Sequence, residues 1–96
     1  MNDLPTGRLK LYWLIDLYLS GHHDVRTFCR EFERTYNFEV QDSELAIREQ
    51  SAFSELFNKV IMFSPFEAEL KNVPIYVSAE AIKAAATATK RVLGAT

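Results

Sequence analysis

A single cysteine in 96 residues excludes an internal disulfide. With Cys29 alone and two neighbouring histidines, His22 and His23, the chain is short of the ligands that a zinc site needs. Three glycines leave no glycine-rich loop to cradle a phosphate. There is no H-E-x-x-H, no pair of cysteines and no nucleophile elbow, so no catalytic constellation can be named. Cys29 has no Cys–His–Asx arrangement around it and reads as a small buried hydrophobe. A formal charge of −2 and a pI near 5.6 provide no field to draw in a nucleic-acid backbone. No apolar run reaches the ~18 residues of a membrane span, and MNDLPTG at the start lacks the basic and apolar regions of a signal peptide. The expectation is a cytoplasmic protein without cofactor or metal that is not an enzyme and meets neither membrane nor nucleic acid directly.

What the chain does have is core-forming material: 48% hydrophobic residues, with seven Phe, four Tyr and one Trp. Apolar positions recur with helical spacing in four segments. Residues 8–20 carry the stripe Leu11, Leu14, Ile15, Tyr18 and Leu19, and Gly21 is suited to end that helix. A second stripe, Leu9, Trp13 and Leu17, predicts a helix lying between two neighbours, with an exposed Trp13 anchor as the alternative. Residues 24–36 place Val25, Phe28, Cys29, Phe32 and Tyr36 inward behind an Asp24 cap, with Asn37 as the left-handed stop. Its outer face of Arg26, Arg30, Glu33 and Arg34 reads as solvated charge of mixed sign.

The longest segment, 43–63, runs from Asp42-Ser43 as capping residues to Ser64-Pro65, about 30 Å at 1.5 Å per residue. Leu45, Glu49, Ala52, Phe53, Leu56, Val60 and Phe63 form its apolar arc, and Glu44–Arg48 and Glu55–Lys59 are candidate i,i+4 pairs on its wet side. Ile47 and Met62 fall on that wet side. Glu49 sits within the apolar arc, so it needs a buried partner such as a tyrosine hydroxyl or a group from the first helix; Asp16 is within the range of a bundle interior as well. Residues 64–77 read as a packed connection with one helical turn near Glu67 to Leu70, pinned by Phe66 and Leu70. Ile75-Tyr76-Val77 is too short for an independent strand. Ser78 caps a last helix, 78–93, whose inner face is Ile82, Ala85, Ala86, Thr89, Val92 and Leu93. The fold class predicted is all-α: one domain over 1–96, a four-helix bundle.

Two segments carry a family likeness. Leu14-Ile15-Asp16-Leu17-Tyr18-Leu19-Ser20-Gly21 is followed by Phe28 and the charged Arg30 to Arg34; Glu55-Leu56-Phe57 is followed, five residues later, by Phe63-Ser64-Pro65. Together with the acidic connection and Tyr76, they resemble the immunity proteins of the colicin D type, including relatives that accompany contact-dependent growth inhibition toxins. The resemblance runs from about Leu11 to Leu93 and rests on packing residues. It implies a bacteriocin-immunity or antitoxin function: a small helical protein that binds the C-terminal nuclease domain of a cognate toxin, commonly one cleaving tRNA, and covers its basic cleft with carboxylates. Glu67 and Glu69 match the family's acidic connection. Glu39, Asp42 and Glu44, at the other end of the third helix, form a second candidate patch, with helix capping and solvation as its alternative role. A different class of function also fits: a helical adaptor or regulatory subunit that docks a protein through Trp13, or through Ile47 and Met62.

Overall fold

The computed structural model describes residues 4–94; the first three residues of MNDLPTG and the last two of the chain lie outside the described residues. The helices are α1 (Gly7–Leu19), α2 (Val25–Phe38), α3 (Ile47–Val60), α4 (Glu67–Asn72) and α5 (Ala79–Gly94), with a 3-10 turn at Asp42–Glu44. The architecture is all-α. α1 packs between α2 and α5, α3 packs on α2 and α5, and the short α4 stands outside this four-helix body. The only β pairing among the described residues is an isolated parallel bridge between Phe63 and Val77.

The helix ends follow from local chemistry. Asp24 accepts a hydrogen bond from the Thr27 N–H at 2.8 Å, and Ser78 Oγ accepts one from Ala81 N–H at 3.1 Å, each satisfying a first-turn donor that the helix leaves free. After α1, Gly21 adopts φ +86°, so His22 N–H reaches the Leu17 carbonyl and Gly21 N–H the Tyr18 carbonyl. This is a Schellman ending, and it favours glycine because the backbone is left-handed there. Asn37 does not play that part in α2. No non-glycine residue among those described has positive φ, and the helix continues through Asn37 to Phe38 before Glu39 ends it in a right-handed conformation.

α3 is the main correction. The expected 43–63 contracts to 14 residues, roughly 21 Å, and neither Asp42 nor Ser43 caps it. Glu44 turns back so that its carboxylate accepts the Gln41 N–H at 2.9 Å, which closes the 3-10 turn. Leu45 and Ala46 are then extended, an arrangement that places Leu45 in the core. The far end stops at Val60 because Met62 to Ser64 pair with Val77: Val77 N–H donates to the Met62 carbonyl at 2.8 Å and Ser64 N–H to the Val77 carbonyl at 3.0 Å. Ile61, Met62 and Phe63 N–H still bond back to the Phe57, Lys59 and Val60 carbonyls, but the Met62 carbonyl and the Ser64 N–H, which would continue the helical ladder, are taken by Val77. Neither i,i+4 pair forms: Glu44 is off the helix, and no ion pair within 4 Å joins Glu55 to Lys59.

Phe28, Phe32, Phe53, Leu56, Val60, Ile82 and Leu93 share one core as expected, joined by Leu11, Leu14 and Ile15. Tyr18 stacks on Phe28 with ring centroids 4.5 Å apart, and Tyr12 meets Phe53 edge-on at 5.3 Å, so aromatic contacts tie α1 to both α2 and α3. Trp13 and Leu17 are half-buried, but Leu9 at the same stripe's start is exposed, as is Val92 near the end of α5. Thr35, absent from the predicted stripe, is fully buried.

The start of α1 rests on the turn before α3. Gly7 has φ +57°, and a Cβ there would lie 3.1 Å from Glu44 Oε2. Gly7→Ala is therefore expected to cost about 1–2 kcal/mol through its left-handed backbone, with further cost from the displaced carboxylate. Gly94→Ala, where nothing lies within 4 Å, is the control. Equal thermal melting temperatures for the two variants would remove this account of the α1 seat.

Candidate functional site

The five carboxylates singled out by sequence fall into two groups at opposite ends of α3, separated by a helix length of about 21 Å. They do not form one patch.

The group before α3 is largely engaged within the molecule. Glu39, at the end of α2, accepts hydrogen bonds from Lys10 Nζ at 3.0 and 3.2 Å. Glu44 holds the Gln41 N–H and lies over Gly7, where the positive end of the α1 dipole favours a carboxylate. Asp42 is exposed, and its contribution to the turn comes from its carbonyl, which accepts from Gln50 Nε2 at 2.9 Å and from Leu45 N–H at 3.1 Å. Glu39 thus ties the end of α2 to α1, Glu44 closes its own turn in the manner of a cap, and only Asp42 keeps a side chain without a hydrogen bond among the described residues.

The group after α3 faces outward. Glu67 opens α4 with its side chain 83% exposed and, among the described residues, only the similarly exposed Lys71, 3.6 Å away, as an ionic neighbour. Such a contact contributes little and leaves the carboxylate free to meet a partner. Glu69 is exposed too, but its Oε1 accepts a hydrogen bond from Ser64 Oγ. Ser64 is buried, and the same hydroxyl accepts the Phe66 N–H at 3.2 Å. This small network, with the Phe63–Val77 bridge, is what attaches α4 to the body. Phe66 does not pin the connection: it is 58% exposed, beside the acids, and Leu70 is half-buried. A phenylalanine next to a proline in a connection suggested packing; the serine hydroxyl took that role because it alone can bond a carboxylate and an amide at once.

Exposed Ile61 and Ile75 flank the same connection, as does half-buried Met62. Met62 is one of the docking candidates of the adaptor reading, whereas Ile61 and Ile75 were not picked out as surface residues beforehand. Their signal was the cluster of large apolar residues in a segment too short and too proline-rich to bury them all.

Glu49 is held inside, 6% exposed, at the junction of α1 and α3. Its carboxylate accepts from Arg8 Nε at 2.8 and 2.9 Å, from the Tyr12 hydroxyl, and from the Ala46 N–H at 2.9 Å. Burial pushes its pKa up, but the hydrogen bonds from Arg8, Tyr12 and Ala46 outweigh that and bring it down to about 2. Both expected kinds of partner, a tyrosine hydroxyl and a helix-one group, are present. Asp16 is not among them; it is exposed and pairs with Lys90 of α5 at 2.8 Å.

No cluster of three or more metal-ligating side chains occurs among the described residues. His22 Nδ1 lies 2.7 Å from Ser20 Oγ, closing the turn after α1. Burial, with a smaller contribution from Glu33, pushes the Cys29 thiol up to about 12, so the thiolate that nucleophilic chemistry requires is scarcely populated at neutral pH. No helix among the described residues is long and apolar enough to cross a membrane. Compared with protein-family models, curated proteins and solved structures, the chain matches none.

Proposed function

We propose that this protein neutralises a cognate nuclease toxin by binding its C-terminal domain, with the α4 arm as the principal recognition element. The observation that carries the reading is the exposure of Glu67, Phe66 and Glu69 on a segment anchored to, but standing off, the helical body. A basic cleft shaped for RNA presents lysines and arginines where phosphates would lie; carboxylates on a projecting arm can occupy those positions. Phe66 supplies the apolar contact that charge alone does not. Holding Glu69 through Ser64 before the partner arrives lowers the ordering cost of association. The protein works by occlusion and catalyses nothing in this reading.

The test is functional and physical together. Cells that make the toxin domain encoded beside this chain should grow when it is co-expressed, and the two proteins should copurify. Growth arrest despite abundant folded protein would overturn the reading.

A second reading, a helical adaptor, is favoured by Ile47. It is 85% exposed at the start of α3 and lines a shallow cleft with Tyr36, Asp42 and Gln50. Trp13 and Met62, the other docking candidates, are half-buried and less available. If rescue fails and Ile47→Asp abolishes binding to a protein partner, the adaptor reading replaces the first.

A further inference from the structure

The geometry points to a self-association surface on the outer face of α3 and α5, where a second copy of this chain packs antiparallel about a twofold axis passing beside Ser51 and Ala52. This is independent of the proposed toxin-binding arm.

A groove of about 210 Å³ lies between the two helices, with Leu56, Ala85, Ala88 and Val92 among its apolar lining. Val92 is 49% exposed there, although the helical pattern would place it inward. Arg48, Glu55 and Lys59 rim the groove from the α3 side. None of the three has an ionic partner within 4 Å among the described residues, so their charges are free to pair across an interface.

The order of those charges selects the occupant. Arg48 and Glu55 are seven residues apart, two helical turns or about 10.5 Å, and so share one face. The point midway between them falls between Ser51 and Ala52, both small enough for another helix to approach closely. A twofold axis through that point carries Arg48 of one copy onto Glu55 of the other, and Glu55 onto Arg48. Two identical ion pairs result from one operation, the mark of an isologous interface. The same operation lays the α3–α5 face of each copy, with its Val92 and Ala88, against that face of the other. An unrelated partner would not require this self-complementary order.

Sedimentation equilibrium on the full chain, over ~1 µM to ~1 mM at low salt, reads the dimer constant directly. Wild type should shift from monomer to dimer across that range. Arg48→Glu alone and Glu55→Arg alone should each weaken the dimer about tenfold or more, because two attractive pairs become two repulsive ones. The double variant Arg48→Glu, Glu55→Arg should recover to within about threefold of wild type. Val92→Glu, at an exposed position, should also weaken the dimer, and circular dichroism melts establish that each variant is folded. A monomer at every concentration overturns the proposal, as does a dimer indifferent to the single reversals. Single reversals that weaken association without rescue in the double variant overturn the antiparallel pairing.

Discussion

Glu49→Ala is expected to lower the melting temperature by roughly 10–20 °C, from a loss of about 2–3 kcal/mol in a domain of this size. The carboxylate satisfies four donor contacts at the α1–α3 junction, and its removal strands the half-buried Tyr12 hydroxyl and the Ala46 N–H without an acceptor. Arg8 is 42% exposed and can return to water, which keeps the loss below that of a fully buried pair. Glu49→Gln retains an acceptor and should lose less; in the proposed toxin-binding reading its affinity should remain nearly that of wild type, because Glu49 is buried in the first turn of α3 and Glu67 lies beyond the other end of that helix.

The same network sets a pH dependence. Glu49 has a folded pKa of about 2, below the ordinary glutamate value, so the folded state binds its proton less readily than the unfolded chain does. Its stabilisation is fully present above about pH 4.5 and is lost as pH falls through about 2. The whole shift corresponds to about 3 kcal/mol, and solvent screening at the exposed Arg8 reduces it to about 2. Between pH 5 and pH 2 the wild-type melting temperature should fall more steeply than that of Glu49→Ala. Parallel curves for the two proteins would assign the acid sensitivity to other carboxylates.

Reversing the charge of Glu67 should have the other large effect, on binding instead of stability. A carboxylate removed from a desolvated interfacial pair costs about 2–5 kcal/mol, or some thirtyfold to several thousandfold in affinity, against less than about 1 kcal/mol for an exposed pair. In the proposed toxin-binding reading, Glu67→Lys should slow association and weaken inhibition of the toxin domain within that larger range, and should leave the melting temperature unchanged because its only ionic neighbour among the described residues is Lys71. Glu69→Lys should weaken binding and also lower the melting temperature, since Ser64 loses its acceptor. Phe66→Ala should weaken binding with less salt dependence than Glu67→Lys. Reversals at Arg26 and Arg30, on the outer face of α2, are the controls. Titrations at two salt concentrations separate steering from contact energy. Full affinity in the Glu67→Lys, Glu69→Lys double variant would move the interface to the 39–44 segment, where Asp42 is the carboxylate not already engaged.

Helical periodicity in the sequence alone determined the four packing helices and most of their core, because the 3.6-residue repeat of large apolar side chains depends only on neighbours a turn away. It also marked Glu49 as needing a partner, since a carboxylate in an apolar arc is costly wherever the arc packs. Asp24, Gly21 and Ser78 were readable for the same reason: a cap or a left-handed stop is chemistry within a few residues. Tertiary structure decided the rest. The start of α3 was set by Leu45 entering the core, and its end by the meeting of Met62 and Ser64 with Val77, which joins segments more than a dozen residues apart. Which acids are free was likewise decided at long range. Lys10 reaches Glu39 and the start of α1 lies on Glu44, whereas α4 is carried beyond the reach of the body's cations, so carboxylates alike in sequence differ in what they can still bind.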